Sequence, residues 1–215
     1  MAGALPLAQP STYLTFCAMR ILLLLISVLG LSAAEPFSLE QLTAATKDIS
    51  SLRVTFVQEK HLAILDEPVV SPGLIEIDRK RESVRWEFTG KSVLLFSDGK
   101  LRRFGAEGKE ETVTVKDQGV NSMVSQMKAF LHGDWSGMRD IFTITPAADG
   151  QPQLNFVPKT PDLTKYIHHL EIRWRVNLSA PEYMLLVAAG DDRTEYRFAE
   201  PQVDITIPPE RFSQP

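Results

Sequence analysis

Four histidines, His61, His132, His168 and His169, are the side chains best suited to hold a metal ion or to move a proton near neutral pH. Neighbours on an extended strand point to opposite faces, so His168 and His169 are not expected to share an ion. No second histidine or carboxylate follows at helical ligand spacing, and no metal site is expected. Ser125-Gln-Met-Lys128 has the S-x-x-K form in which a lysine activates a serine nucleophile. The companions of that pair are missing. Ser97-Asp98 runs on to Gly99 where such acyl enzymes carry Asn, and Lys159-Thr160 runs on to Pro161 instead of Gly. There is no glycine-rich phosphate loop, and the carboxylate pairs Glu110-Glu111 and Asp191-Asp192 fall in loops or at strand ends, where charge is solvated. The expectation is therefore no enzyme and no cofactor. Arg79-Lys80-Arg81 is the one basic run. At a turn between strands it serves solubility, or docking to an acidic partner or to lipid headgroups.

The composition around these residues is that of an ordinary globular protein: 215 residues, 44% hydrophobic and 23% charged. Lys and Arg number 23 against 27 Asp and Glu, a net charge of -4 that leaves no surplus to collect phosphates, so nucleic acid is not an expected partner. Residues 1–34 differ from the rest. Met19-Arg20 leads into the apolar run Ile21 to Leu31, and Ser32-Ala33-Ala34 fits a small-x-small cleavage site, which reads as a secretory signal peptide. The apolar core is about half the ~20 residues a spanning helix needs. Met1 to Ala18 carries no charge, which puts Met19 forward as the true start; N-terminal sequencing of the preprotein checks it. Cleavage would remove Cys17, the single cysteine, and with it any thiol chemistry or lipidation at the processing site. One domain, residues 35–215, remains.

Ser38 and Gln41 have the spacing of a capping box, and Leu39, Leu42, Ala45, Thr46 and Ile49 recur at helical intervals behind them. From Leu52 the period changes to two. Leu52, Val54, Phe56 and Gln58 share a face, as do Ile75, Ile77 and Arg79, and then Val84, Trp86 and Phe88. Asp98-Gly99 between two apolar runs is a hairpin turn. A strand over 112–115 and a helix from Asn121 carrying Met123, Met127, Phe130 and Leu131 on one stripe are expected next. The longest alternation runs from His168 to Leu178, and strands around 183–189, 194–198 and 203–207 complete about ten. So many antiparallel strands and so few helices imply a mainly β (α+β) fold: an unclosed, strongly curved antiparallel β-barrel with helices across its mouth. The pattern alone fits a barrel filled by its own side chains as well as one enclosing a cavity.

Leu52-Arg-Val-Thr-Phe-Val-Gln58, Gly73-Leu-Ile-Glu-Ile-Asp-Arg79, Val84-Arg-Trp-Glu87, Ser97-Asp-Gly-Lys100, Leu154-Asn-Phe-Val-Pro-Lys159 and Ile205-Thr-Ile-Pro-Pro209, in this order, resemble the LolA-like outer-membrane lipoprotein carriers of the periplasm. The resemblance implies a hydrophobic cavity under a helical lid that shelters acyl chains of a lipoprotein or lipid between inner and outer membrane. It implies as partners an ABC-type releasing complex and an outer-membrane acceptor, with the carrier a monomer. The positions it points to for lining and lid are Leu52, Val54, Phe56, Ile75, Ile77, Val84, Trp86, Phe88, Met123, Met127, Phe130, Leu170, Ile172 and Trp174. Arg79 matches the family's lid-coupling arginine, with Arg81 and Arg85 as rivals because Lys80 stands where the family has proline. The chain stops at Pro215, soon after the proline pair, where such carriers run on into a further element. A relative serving a glycolipid or a polyene lipid fits equally, as does a periplasmic lipid-sensing, regulatory domain of the same fold.

Overall fold

The computed structural model describes residues 35–112, 135–190 and 192–215. The expected signal peptide, the strand over 112–115 beyond its first residue, and the stripe of Met123, Met127 and Phe130 lie outside the described residues, as do His132, Ser125 and Lys128. Helix α1, Leu39–Thr46, begins at the expected capping box, the Ser38 and Gln41 side chains each bonding the other's backbone N–H. It buries Leu39, Leu42 and Thr46 and leaves Ala45 in solvent.

All the strands among the described residues belong to one antiparallel sheet. In chain order they are β1 Ser51–His61, β2 Val69–Asp78, β3 Ser83–Phe88, β4 Ser92–Ser97, β5 Lys100–Gly105, β6 Glu110–Glu111, β7 Phe142–Pro146, β8 Gln153–Pro158, β9 Ile167–Trp174, β10 Pro181–Ala188, β11 Arg193–Phe198 and β12 Gln202–Val203. The spatial order is β6-β5-β4-β3-β2-β1-β11-β10-β9-β8-β7, with β12 pairing β1 beyond the end of β11. β6 and β7 do not pair with each other among the described residues, so the sheet is not closed. It is strongly curved nonetheless. β3 and β9 are five places apart in the order, which would separate them by about 24 Å in a flat sheet. Side chains of both nevertheless line one pocket.

Turn chemistry sets the register. Asp98 and Gly99 take φ of +52° and +69°, the paired left-handed conformation of a tight hairpin, between Ser97 and Lys100. Gly73 faces Phe56 across the β1–β2 ladder, and a Cβ there would collide with the Phe56 ring and the Glu87 backbone oxygen. The close approach of these strands is what demands glycine.

The concave face is the expected apolar one, but it is split. One cluster gathers Leu39, Leu42, Trp135, Met138, Phe142, Leu154, Phe156, Leu170, Ile172 and Trp174 under α1. The other gathers Leu52, Val54, Phe56, Ile77, Val84, Trp86, Phe96, Ala180 and Tyr196. Met184 packs against both. Fully burying a side chain such as Phe142 or Phe156 contributes about 1.5–3 kcal/mol, so the two clusters hold the curl together.

The convex face is not uniformly wet, for Glu76 and Arg85 are buried on it. A 3₁₀ turn at Pro209–Phe212 straps across β2–β5, burying Phe212 and covering Glu76, which is fully buried. Glu76 accepts from Arg53 at 2.7 Å and from Arg211 of the strap at 2.8 Å. Arg85 donates to the carbonyls of Arg211 and Gln214, and Ser97 to that of Phe212. Two strand expectations also need correction. The strand expected over 203–207 is only the two residues Gln202–Val203, because Asp204 turns into the left-handed region at φ +54° and accepts from Ser50 at 2.8 Å. The long alternation stops at Trp174, not Leu178: Leu178 N–H closes a turn onto Arg175 O, and Val176 is 93% exposed.

Candidate functional site

The seam between the two clusters is where the concave face is not filled. A pocket of about 40 Å³ opens there. It is lined by Leu52 and Val54 of β1, Ile75 and Ile77 of β2, Trp86 of β3, Leu170 and Ile172 of β9, Pro181 and Met184 of β10, and Phe198 of β11. Trp135 and Met138, at the start of the one-turn helix α2 (Met138–Ile141), complete it. None of these side chains is charged. Only the indole N–H groups are polar, and that of Trp86 is buried without a hydrogen-bond partner among the described residues. A space of this size accepts a water-sized group or two, and an apolar lining keeps it dry.

The expected positions distribute as follows. Leu52, Val54, Ile75, Ile77, Trp86, Leu170 and Ile172 line this pocket. Phe56 and Val84 are buried behind it in the β1–β3 cluster, Phe88 lines a separate groove, and Trp174 lines a smaller hollow. Trp135, Met138, Pro181, Met184 and Phe198 were not foreseen. Phe198 and Met184 share the face of their strands with Phe56 and Ile172, a pairing visible once register is known. Trp135 and Met138 carry no periodic signal at all.

The smaller hollow, about 30 Å³, sits against the pocket's end and contains Thr46, Ile49, Leu52, Ile77, Arg79, Trp135 and Trp174. Arg79 lies just past β2 on the Ile77 side. Its Nη1 donates to the carbonyl of Thr46, the last residue of α1, and to that of Ile49 at 2.9 Å. A cation at a helix C-terminus satisfies carbonyls that have no partner within the helix. Burial lowers the Arg79 pKa from its ordinary value, and the charge of Asp204 works against that shift. The rivals do other work. Arg81 pairs with Asp78 within its own turn and donates to Ile207 O, and Arg85 bonds Glu87 and the C-terminal strap. Of the three, only Arg79 reaches the helix covering the trough.

None of the described side chains lining the pocket is an acid, a base or a hydroxyl or thiol nucleophile. Among the described residues no three His, Cys, Asp or Glu side chains come together as metal ligands. The histidine pair does differ from its expected geometry. Ile167 pairs with Ala188 and His169 with Val187, so β9 bulges at His168, and the two rings lie on the same side with their Nδ1 atoms 3.0 Å apart. An extra residue in one strand turns its side chain toward its neighbour's face. What the pocket can do is hold methylene groups out of water, at about 0.8 kcal/mol each.

No family model matches the chain, and no curated protein matches it. Solved structures do. One is a chain of the Pseudomonas aeruginosa MucA/MucB complex, at 16% identity and a TM-score of 0.39 over 81% of this chain. This chain spans 58% of that chain's length. A LolA superfamily protein from Nitrosomonas europaea matches at 9% identity and a TM-score of 0.47, over 81% of this chain and 94% of that one. A conserved protein from Thermus thermophilus matches at 6% identity and a TM-score of 0.49, over 81% of this chain and 92% of that one. At such identities and scores nothing about ligands or partners passes from these proteins to this chain. Among the described residues no helix is long and apolar enough to cross a membrane.

Proposed function

We propose that the protein binds an acyl chain of a lipid or lipoprotein in the seam of its concave face and carries it through the periplasm between inner and outer membrane. The observation that carries this reading is the pocket lining: twelve side chains from six strands and the turn into α2, none of them charged. An open antiparallel sheet has no need to leave an unfilled apolar seam at its middle, where interiors are otherwise close-packed. The space is far smaller than an acyl chain, so loading parts the two clusters. Met184, which touches both, and α1, tethered by Arg79, are the elements that must yield. Flexible thioethers at the seam, Met138 and Met184, suit a surface that repacks around its guest. The short blocks shared with LolA-like carriers imply the same use, with a releasing complex at the inner membrane and an acceptor at the outer one.

The test is native mass spectrometry of the protein from the periplasm of its own host, with titration of a fluorescent fatty acid. Adducts of an acylated protein make it a lipoprotein carrier, and a small glycolipid or polyene lipid makes it a shuttle for that class. A protein always empty, refusing fatty acid and held in a stable complex with a protein partner, overturns the carrier reading in favour of a regulatory domain.

A further inference from the structure

The concave face changes character along its length. On β1 the apolar positions Leu52, Val54 and Phe56 are followed on the same face by Gln58 and Lys60. On β2 the corresponding positions Ile77, Ile75 and Gly73 give way to Ser71, and on β5 Leu101 gives way to Arg103. At this end an open groove of about 360 Å³ is lined by Gln58, Lys60, Ser71, Phe88, Lys91 and Arg103, among others. That volume lies within the range of small-molecule sites. The groove and the apolar seam meet at a pair of aromatic rings. Phe88, in the groove wall, stacks on Trp86, in the pocket wall, with ring centroids 6.2 Å apart and planes at 19°.

We propose that Lys60, Lys91 and Arg103 bind the phosphate group of an anionic lipid whose acyl chain enters the seam beyond this aromatic pair. Three cations on one face of a groove repel one another and are relieved by an anion with several acceptor oxygens. Lys91 is already positioned, its Nζ donating to Ser71 Oγ at 2.6 Å. Lys60 makes no ion pair among the described residues. Arg103 pairs with Glu111 at 3.0 Å, and both side chains are about half exposed, 53% and 49%, so this pair is weak and yields to a stronger acceptor. A guanidinium fork and two ammonium groups are the donor set that phosphate recognition uses. The proposal rests on the acyl-binding reading and narrows its cargo to lipids with a phosphate headgroup.

Calorimetric titration of the full-length protein with dodecyl phosphate, dodecanol and inorganic phosphate separates the two ideas. The wild type is compared with a triple variant, Lys60→Gln, Lys91→Gln and Arg103→Gln, whose exposed positions leave folding intact, as a circular dichroism melt verifies. Dodecyl phosphate is expected to bind the wild type about tenfold or more tightly than dodecanol, a margin of about 1.4 kcal/mol that two charge-assisted contacts supply. The variant is expected to lose that margin while keeping its affinity for dodecanol. Equal binding of the two ligands by the wild type, or a margin that survives in the variant, overturns the headgroup site while leaving acyl binding standing. Inorganic phosphate binding as tightly as dodecyl phosphate, with dodecanol inert, overturns the lipid assignment along with the acyl-binding reading.

Discussion

Val54→Ile tests whether the seam is real space and whether acyl chains use it. Val54 is 4% exposed, faces Ile75 across the β1–β2 ladder and lines the pocket. The substitution adds one methylene and keeps the β-branch that suits a strand. A cavity costs about 24 cal/mol per Å³, so an empty space of about 40 Å³ carries a penalty of about 1 kcal/mol. The transferred methylene contributes at most about 0.8 kcal/mol. The variant is therefore expected to be about 0.5–1 kcal/mol more stable than the wild type, read as a shift of the urea midpoint at constant slope. Stabilising the closed seam also opposes loading: about 1 kcal/mol in favour of the empty, closed form weakens acyl binding by about fivefold. Both effects are readable in the native protein, because Trp86 and Trp135 line the pocket and their fluorescence reports a guest. A variant less stable by 1 kcal/mol or more would show overpacking instead of filled space. A variant more stable, yet binding palmitate as tightly as the wild type, would falsify the assignment of acyl chains to this seam.

Two other expectations concern the rest of the fold. In a double-mutant cycle of Glu76→Gln and Arg211→Met, urea unfolding should give a coupling of about 1–2 kcal/mol; Arg211 is 34% exposed and recovers part of its hydration when Glu76 is neutralised, and additive effects would mean the strap is not held by this pair. Burial raises the Tyr196 pKa above its ordinary value, with the hydrogen bond from Gln58 opposing, so the folded state keeps the phenol protonated longer than the unfolded chain does. Stability from this group is full below about pH 10 and is lost as pH rises through the folded value, so the alkaline loss of stability should be shallower in Tyr196→Phe, and a loss of the same steepness in that variant removes Tyr196 as its cause.

What the residues disclose by themselves is local. The alternation of Leu52, Val54 and Phe56, the capping box at Ser38 and the Asp98-Gly99 turn each specify a backbone conformation within a few residues, and each element stands where its pattern puts it. The concave lining from β1, β2, β3 and β9 was legible for the same reason, because period two separates faces. Features set by distant chain were not. No residue near Glu76 in the sequence announces that Arg211, 135 residues later, folds over it. Trp135 and Met138 reach the pocket from a turn with no repeating pattern. The bulge at His168 and the turn at Arg175 to Leu178 break a perfect alternation without any glycine or proline at those positions to announce it. Hydrophobic period tells which way a side chain points along a regular strand and is silent where the strand stops being regular.

The place of β1 in the middle of the sheet has a kinetic side. One of its edges is taken by β2 across a short connection, and the other by β11, with Phe56 opposite Phe198. Hairpins such as β3–β4 and β4–β5 can form as soon as their residues exist, on a time scale of about 1–10 μs. The β1–β11 pairing must close a loop of well over a hundred residues. Until residues 193–203 arrive, β1 offers an open row of backbone donors and acceptors on one side, and the two halves of the trough have no common wall. Late closure of this kind slows folding and leaves a sticky edge exposed to other chains in the meantime. The middle of the sheet is therefore the last part to acquire its shape, although its hairpins form early.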